Sequence, residues 1–178
     1  LIPGHDGLEQ LTQAGLTIRD GDGELRPLLG EAVPTIENGL WKLLPDGRME
    51  TTWRIRDGAQ WHDGTPFTAQ DFIFTADLRQ DRDLPWSPWP GIELVERIEA
   101  PDARTAVVTW RQPFIWADDL LSYPPLPKHI LEKASDPNTT PDFLARPIGT
   151  GAFKWVERVP GDHISLAAYE SVVAGGAL

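Results

Sequence analysis

Apolar and polar residues alternate most regularly between Met49 and Arg56. Met49, Thr51, Trp53 and Ile55 share one side and Thr52, Arg54 and Arg56 the other, the period-two pattern of a strand with one face on a core. The strand is expected to end at Asp57-Gly58. That pair and Asp63-Gly64 tolerate positive φ, so the chain can reverse twice and present Trp61 and His62 on the short segment between. The period then changes. Thr68 and Asp71 fit a capping box, Phe67 and Phe72 its hydrophobic staple, and Ala69, Phe72, Ile73 and Ala76 form an i, i+3, i+4, i+7 stripe. A helix is expected from Ala69 to about Gln80.

Alternation recurs in three paired segments, each broken by a turn signal. Ile36 to Leu44 is expected to pair with the strand through Trp53 across Pro45-Asp46-Gly47. Ile92, Leu94 and Ile98 form one arm of a second hairpin, which turns at Pro101-Asp102-Ala103 into Thr105 to Trp110. Phe153 and Trp155 face Ile164 and Leu166 across Gly161-Asp162 in a third. Short helical candidates lie at Phe114 to Leu121, Pro127 to Ala134 and Thr140 to Leu144. Six Asp-Gly pairs and 17 prolines leave no room for long helices. The fold class is therefore α+β: a small antiparallel or mixed sheet with short helices.

Composition narrows the function. The formal net charge of −11 lacks the basic patch that phosphates require, which argues against a nucleic-acid partner. With no Cys, neither a disulfide framework nor a thiolate metal site is available. His5, His62, His129 and His163 show no metal-ligand spacing, so neither metal nor cofactor is expected. No Gly-x-Ser-x-Gly elbow, Gly-x-Gly-x-x-Gly or P-loop is present. Asp57 with Asp63, or Asp118 with Asp119, could serve as a glycosidase pair, but turn formation and a solvated face explain them more simply. Gly149-Thr150-Gly151 reads as a tight turn into the Phe153 strand rather than an anion loop. The chain is not expected to be an enzyme.

Eight tryptophans carry the strongest hint of binding. Trp86 and Trp89 lie in LPWSPWPG, where Pro85, Pro88 and Pro90 restrict the backbone after the expected helix. A stiff loop with two indoles can grip a ligand by apolar contact and stacking, or both rings can pack on their own domain. Trp41, Trp53, Trp110 and Trp155 occupy strand positions and belong to the core or sheet surface, Trp61 lies in the double turn, and Trp116, beside Asp118 and Asp119, could face either way.

The segment TTWRIRDGAQWHDGTPFTAQ from Thr51 to Gln70 resembles the signature of the extracellular solute-binding proteins of family 5, the oligopeptide, dipeptide and nickel-type receptors of ABC importers. Ala14-Gly15-Leu16-Thr17, Asp22-Gly23 and Pro27-Leu28-Leu29-Gly30-Glu31 resemble family segments upstream. Pro125 to Ile130 and Pro147 to Phe153 do so downstream, with Ala152 in place of a usual Pro. The resemblance implies a longer receptor of two lobes, type II-like among periplasmic binding proteins, closing on peptide or another small solute and serving an ABC permease. Residues 1–30 would then belong to the edge of the main lobe, 31–170 to a subdomain of the N-terminal lobe, and 171–178 to a tail. Location would be periplasmic or extracellular, with membrane attachment only through a removed anchor, and Trp86 and Trp89 would reach the ligand. A self-contained carbohydrate-binding module with exposed tryptophans is the alternative, and a glycoside hydrolase fragment a third.

Overall fold

The computed structural model describes residues 8, 11–81, 90–133, 147–159 and 161–170. Its centre is a four-stranded antiparallel sheet of order β3-β4-β6-β5, built from β3 (Trp41–Leu43), β4 (Met49–Arg54), β5 (Val95–Asp102) and β6 (Thr105–Trp110). The alternation read from β4 is the burial observed: Met49, Thr51, Trp53 and the following Ile55 have no exposed surface. β6 answers from the next strand with Ala106, Val108 and Trp110, all equally buried. Thr51 is polar yet belongs here, because its hydroxyl accepts the indole N–H groups of Trp53 at 3.3 Å and Trp110 at 3.1 Å. Two large apolar rings are thereby buried without leaving a donor unpaired.

Helix α1 (Ala69–Gln80) covers this sheet on the side of β5 and β6. Its start follows the capping expectation: Asp71 Oδ2 accepts the Thr68 backbone N–H at 2.9 Å and the Thr68 hydroxyl at 3.2 Å. Phe67 and Phe72 meet edge to face, 5.4 Å between centroids. The buried face differs from the expected stripe, since Asp71 and Thr75 are buried while Ile73 is half-buried. Both polar side chains are satisfied there. Thr75 Oγ1 donates to the Asp71 carbonyl at 2.6 Å and accepts the Leu126 N–H at 2.8 Å, and Asp71 Oδ1 accepts the Lys128 N–H at 3.2 Å. The pair docks the helix onto residues 126–131, which end in the single turn α2 (Lys128–Leu131). Burial pushes the Asp71 carboxyl above its ordinary value, against the hydrogen bonds that favour the ion.

Other expectations are corrected in detail. The first arm of the first hairpin is only β3, because Thr35 and Asn38 exchange side-chain to backbone hydrogen bonds that hold residues 35–38 in a turn. Ile92 and Leu94 lie in a 3-10 turn, Ile92–Leu94, rather than a strand; Gly91 enters it at φ 84° and the Leu94 N–H returns to the Gly91 carbonyl. Residues 115–119 form turns that close in a second 3-10 turn, Leu120–Ser122, in place of a helix from Phe114. The candidate helix Thr140 to Leu144 lies outside the described residues, as does the tail, residues 171–178.

Two small antiparallel hairpins flank the sheet. β1 (Thr17–Arg19) and β2 (Leu25–Pro27) are not legible in the sequence, because two three-residue strands carry too little periodicity. Leu16 and Leu29, just outside them, are buried in the same core as Trp53. The Glu31 N–H donates to the Arg54 carbonyl and the Arg56 N–H to the Leu29 carbonyl, each at 2.8 Å, which fastens this region to the end of β4. β7 (Phe153–Val159) and β8 (His163–Ala168) pair as expected, Trp155 opposite Leu166, with a register shift between Trp155 and Glu157.

Candidate functional site

Trp86 and Trp89, the ligand-contact candidates, lie outside the described residues. The structure instead defines the two ends between which they are strung. On one side α1 stops at Gln80, where the Asp81 N–H donates to the Asp77 carbonyl. On the other, Gly91 lies so close to the Phe114 ring that a Cβ at this position would overlap it, and Ile92 is buried. Phe114 in turn packs on Trp110, 5.4 Å between centroids. The far end is therefore fixed to the sheet through two rings, and a positive φ with no side chain makes Gly the residue that fits.

Next to Phe114 stand two exposed apolar side chains, Ile115 at 75 % and Trp116 at 58 % of full exposure. Trp116 thus faces outward, the question its sequence context left open. The sequence predicts a helix over Ile115, and its one other signal is the apolar run Phe114-Ile115-Trp116 ahead of two acids. Of those acids, Asp119 is paired with Arg19 at 2.7 Å, and burial raises the Asp118 carboxyl above its ordinary value. Asp57 is bridged to Arg104 at 3.1 Å, and Asp63 Oδ2 meets His129 Nε2 at 2.9 Å. Asp57, Asp63 and Asp119, three of the carboxylates that could serve a glycosidase, are thus engaged in ion pairs or hydrogen bonds. Among the described residues no three His, Asp or Glu side chains gather as metal ligands.

The double turn of the signature does structural work. Gly58 and Gly64 take φ of 75° and 85°, and Trp61 between them is fully buried, edge to face with Phe67. His62 turns the other way and meets Gly149-Thr150-Gly151. That segment is the tight turn expected: Thr150 is buried, its hydroxyl donating to the Ala14 carbonyl at 2.8 Å and accepting the Ala14 N–H at 3.1 Å. A Cβ at Gly149 would overlap the Thr12 carbonyl oxygen, so the two backbones touch only because that residue is Gly.

The β3-β4-β6-β5 sheet under one capped helix and the WHDG turn pinned from afar are the parts of the fold that carry the signature segment from Thr51 to Gln70. The family model for bacterial extracellular solute-binding proteins, family 5 Middle, matches residues 31–176, and the chain belongs to this family. Protein XP55 of Streptomyces lividans is 33 % identical over 165 residues, covering 93 % of this chain and 28 % of its own length. The periplasmic oligopeptide-binding protein OppA of Escherichia coli (strain K12) is 28 % identical over 172 residues, covering 85 % of this chain and 29 % of its own. Among solved structures, NikZ from Campylobacter jejuni in complex with Ni(L-His) superposes with a TM-score of 0.75 at 28 % identity, over 92 % of this chain and 31 % of that one. The chain spans less than a third of the length of these relatives, which are binding proteins rather than enzymes where their names state a function. No helix among the described residues is long and apolar enough to cross a membrane.

Proposed function

We propose that the chain is part of a receptor that captures peptide or a similar small solute outside the membrane and delivers it to an ABC permease. Family membership over residues 31–176 carries this reading. A relative named for oligopeptide and a neighbour solved in complex with Ni(L-His) support a small solute without choosing one. In this proposal residues 1–30 belong to the edge of the main lobe, 31–170 form a subdomain of the N-terminal lobe, and 171–178 are a tail. Trp86 and Trp89 form part of the ligand wall, supported by the fixing of Gly91 and Ile92 on the sheet, which limits the ordering cost of a ligand-gripping loop. The receptor works in the periplasm or at the cell surface. The self-contained carbohydrate-binding module gains no support from the matched proteins.

Isothermal titration tests the proposal, comparing this chain with a full-length receptor that contains it against a mixed peptide and oligosaccharide panel. The receptor binds, the isolated chain binds weakly or not at all, and Trp86→Ala and Trp89→Ala each weaken the receptor by about tenfold or more, the range of an interface aromatic. Tight binding of one sugar by the isolated chain overturns it.

A further inference from the structure

His62 sits where three stretches of chain meet, and both of its ring nitrogens are used. Nδ1 accepts the Gly149 N–H at 3.2 Å, and Nε2 lies 2.9 Å from the Gly151 carbonyl oxygen, to which it can only donate. A single state satisfies both contacts: the neutral ring with its proton on Nε2. The His62 backbone N–H adds a bond to the Gly149 carbonyl at 2.9 Å. On the ring's other side, Tyr169 packs edge to face at 4.9 Å between centroids. Tyr169 is itself tied to the same turn, donating its hydroxyl to the Trp61 carbonyl at 2.9 Å and its N–H to the Ala152 carbonyl at 2.8 Å. Thus the ring holds both the entry to β7 and the residue that follows β8.

We propose that His62 is a pH-sensitive latch, whose neutral imidazole holds the Gly149–Gly151 turn and Tyr169 onto the signature turn and whose imidazolium releases them. Protonation at Nδ1 would point an N–H at the Gly149 N–H, two donors facing each other across a half-buried contact, and Gly149 would lose its acceptor. Among the described residues, the charged groups that act on the ring are Lys154 and Asp63. Lys154, on β7, disfavours a second positive charge and lies with Nζ 5.9 Å from the Tyr169 ring centroid. Asp63 favours the charge, but its carboxylate already accepts the Thr65 N–H at 2.9 Å and faces His129. Among the described residues, the hydrogen bonds from the N-terminal segment to the turn come from Thr12 and Ala14, and the turn itself has no ionisable side chain.

Burial foremost, with Lys154 behind it, holds the bound ring below the ordinary 6.5 of histidine. The released ring, back in water, takes its proton near 6.5, so between the two values the released state binds more protons. The latch is therefore at full strength above 6.5, weakens as the pH falls toward the bound ring's value, and levels off below it. This holds whichever solute the receptor carries.

Nuclear magnetic resonance on the 178-residue chain tests it, with the His62 ring titration and the exchange protection of the Gly149 amide followed from about pH 8 to about pH 4.5, a range spanning the titration of histidine. The expected result is a ring midpoint below 6.5 and a fall in Gly149 protection tracking it, by about tenfold for each unit of depression. His62→Gln keeps a donor for the Gly151 carbonyl and cannot titrate, so its protection is flat with pH. A ring midpoint at 6.5 with flat Gly149 protection in the parent overturns the latch, as does an unchanged pH step in His62→Gln. Should that variant fold poorly, the parent's two curves decide alone.

Discussion

The β3-β4-β6-β5 sheet and the β7–β8 hairpin are both antiparallel ribbons with aromatic residues, and they are stabilised in different ways. In the sheet one face of β4 and one face of β6 are wholly buried, and helix α1 lies against β5 and β6. In the hairpin no residue of either strand is buried: Phe153 and Val156 are exposed and Trp155 is half-buried. A two-stranded ribbon with no buried face is marginal in water. What holds this one lies at its root, in Thr150 on Ala14, His62 on Gly149 and Gly151, and Tyr169 on Trp61. One element is stabilised along its length, the other at its points of attachment.

That contrast can be broken from either end. Trp110→Ala removes a fully buried ring from the sheet, leaves the Thr51 hydroxyl with one indole fewer, and is expected to cost about 3–5 kcal/mol, read as a lower midpoint of global unfolding in urea. Thr150→Val keeps the shape of the side chain but strips Ala14 of both its partners, at a cost of about 2 kcal/mol. Its signature is local: amide protection and protease resistance fall across residues 149–169, while the β4 and β6 amides keep theirs. Uniform loss across both regions would show that root and sheet unfold as one unit. Val156→Thr changes an apolar side chain 48 % exposed, and its effect on the chain is expected within about 0.5 kcal/mol, measurable as an unmoved melting midpoint. A large effect there would mean that the hairpin face is covered in solution.

The sheet was legible because burial there follows the strand period, and the start of α1 because capping is a local code. The helix's buried face was legible only in part. Asp71 and Thr75 look like surface residues until Leu126 and Lys128, more than fifty positions on, supply their partners. His62 was hidden for the same reason: its ligands lie 87 and 89 residues away, and a lone histidine in a turn carries no spacing to read. Ile115 was misplaced because an apolar triplet fits a helix as well as an exposed turn. Trp86 and Trp89 are proposed by the opposite route, since the prolines around them make the stretch conspicuous in the sequence before anything is known of what it touches.

Gly91 has a consequence for how such a chain diversifies. With Gly91 seated on Phe114 and the helix closed at Asp81, the residues between them begin and end at fixed stations. Doubling the length of a flexible loop between fixed ends costs only about 0.6 kcal/mol. Sequence between these stations can therefore lengthen or change with the rest of the domain left untouched, so that the frame is inherited while the insert is rewritten.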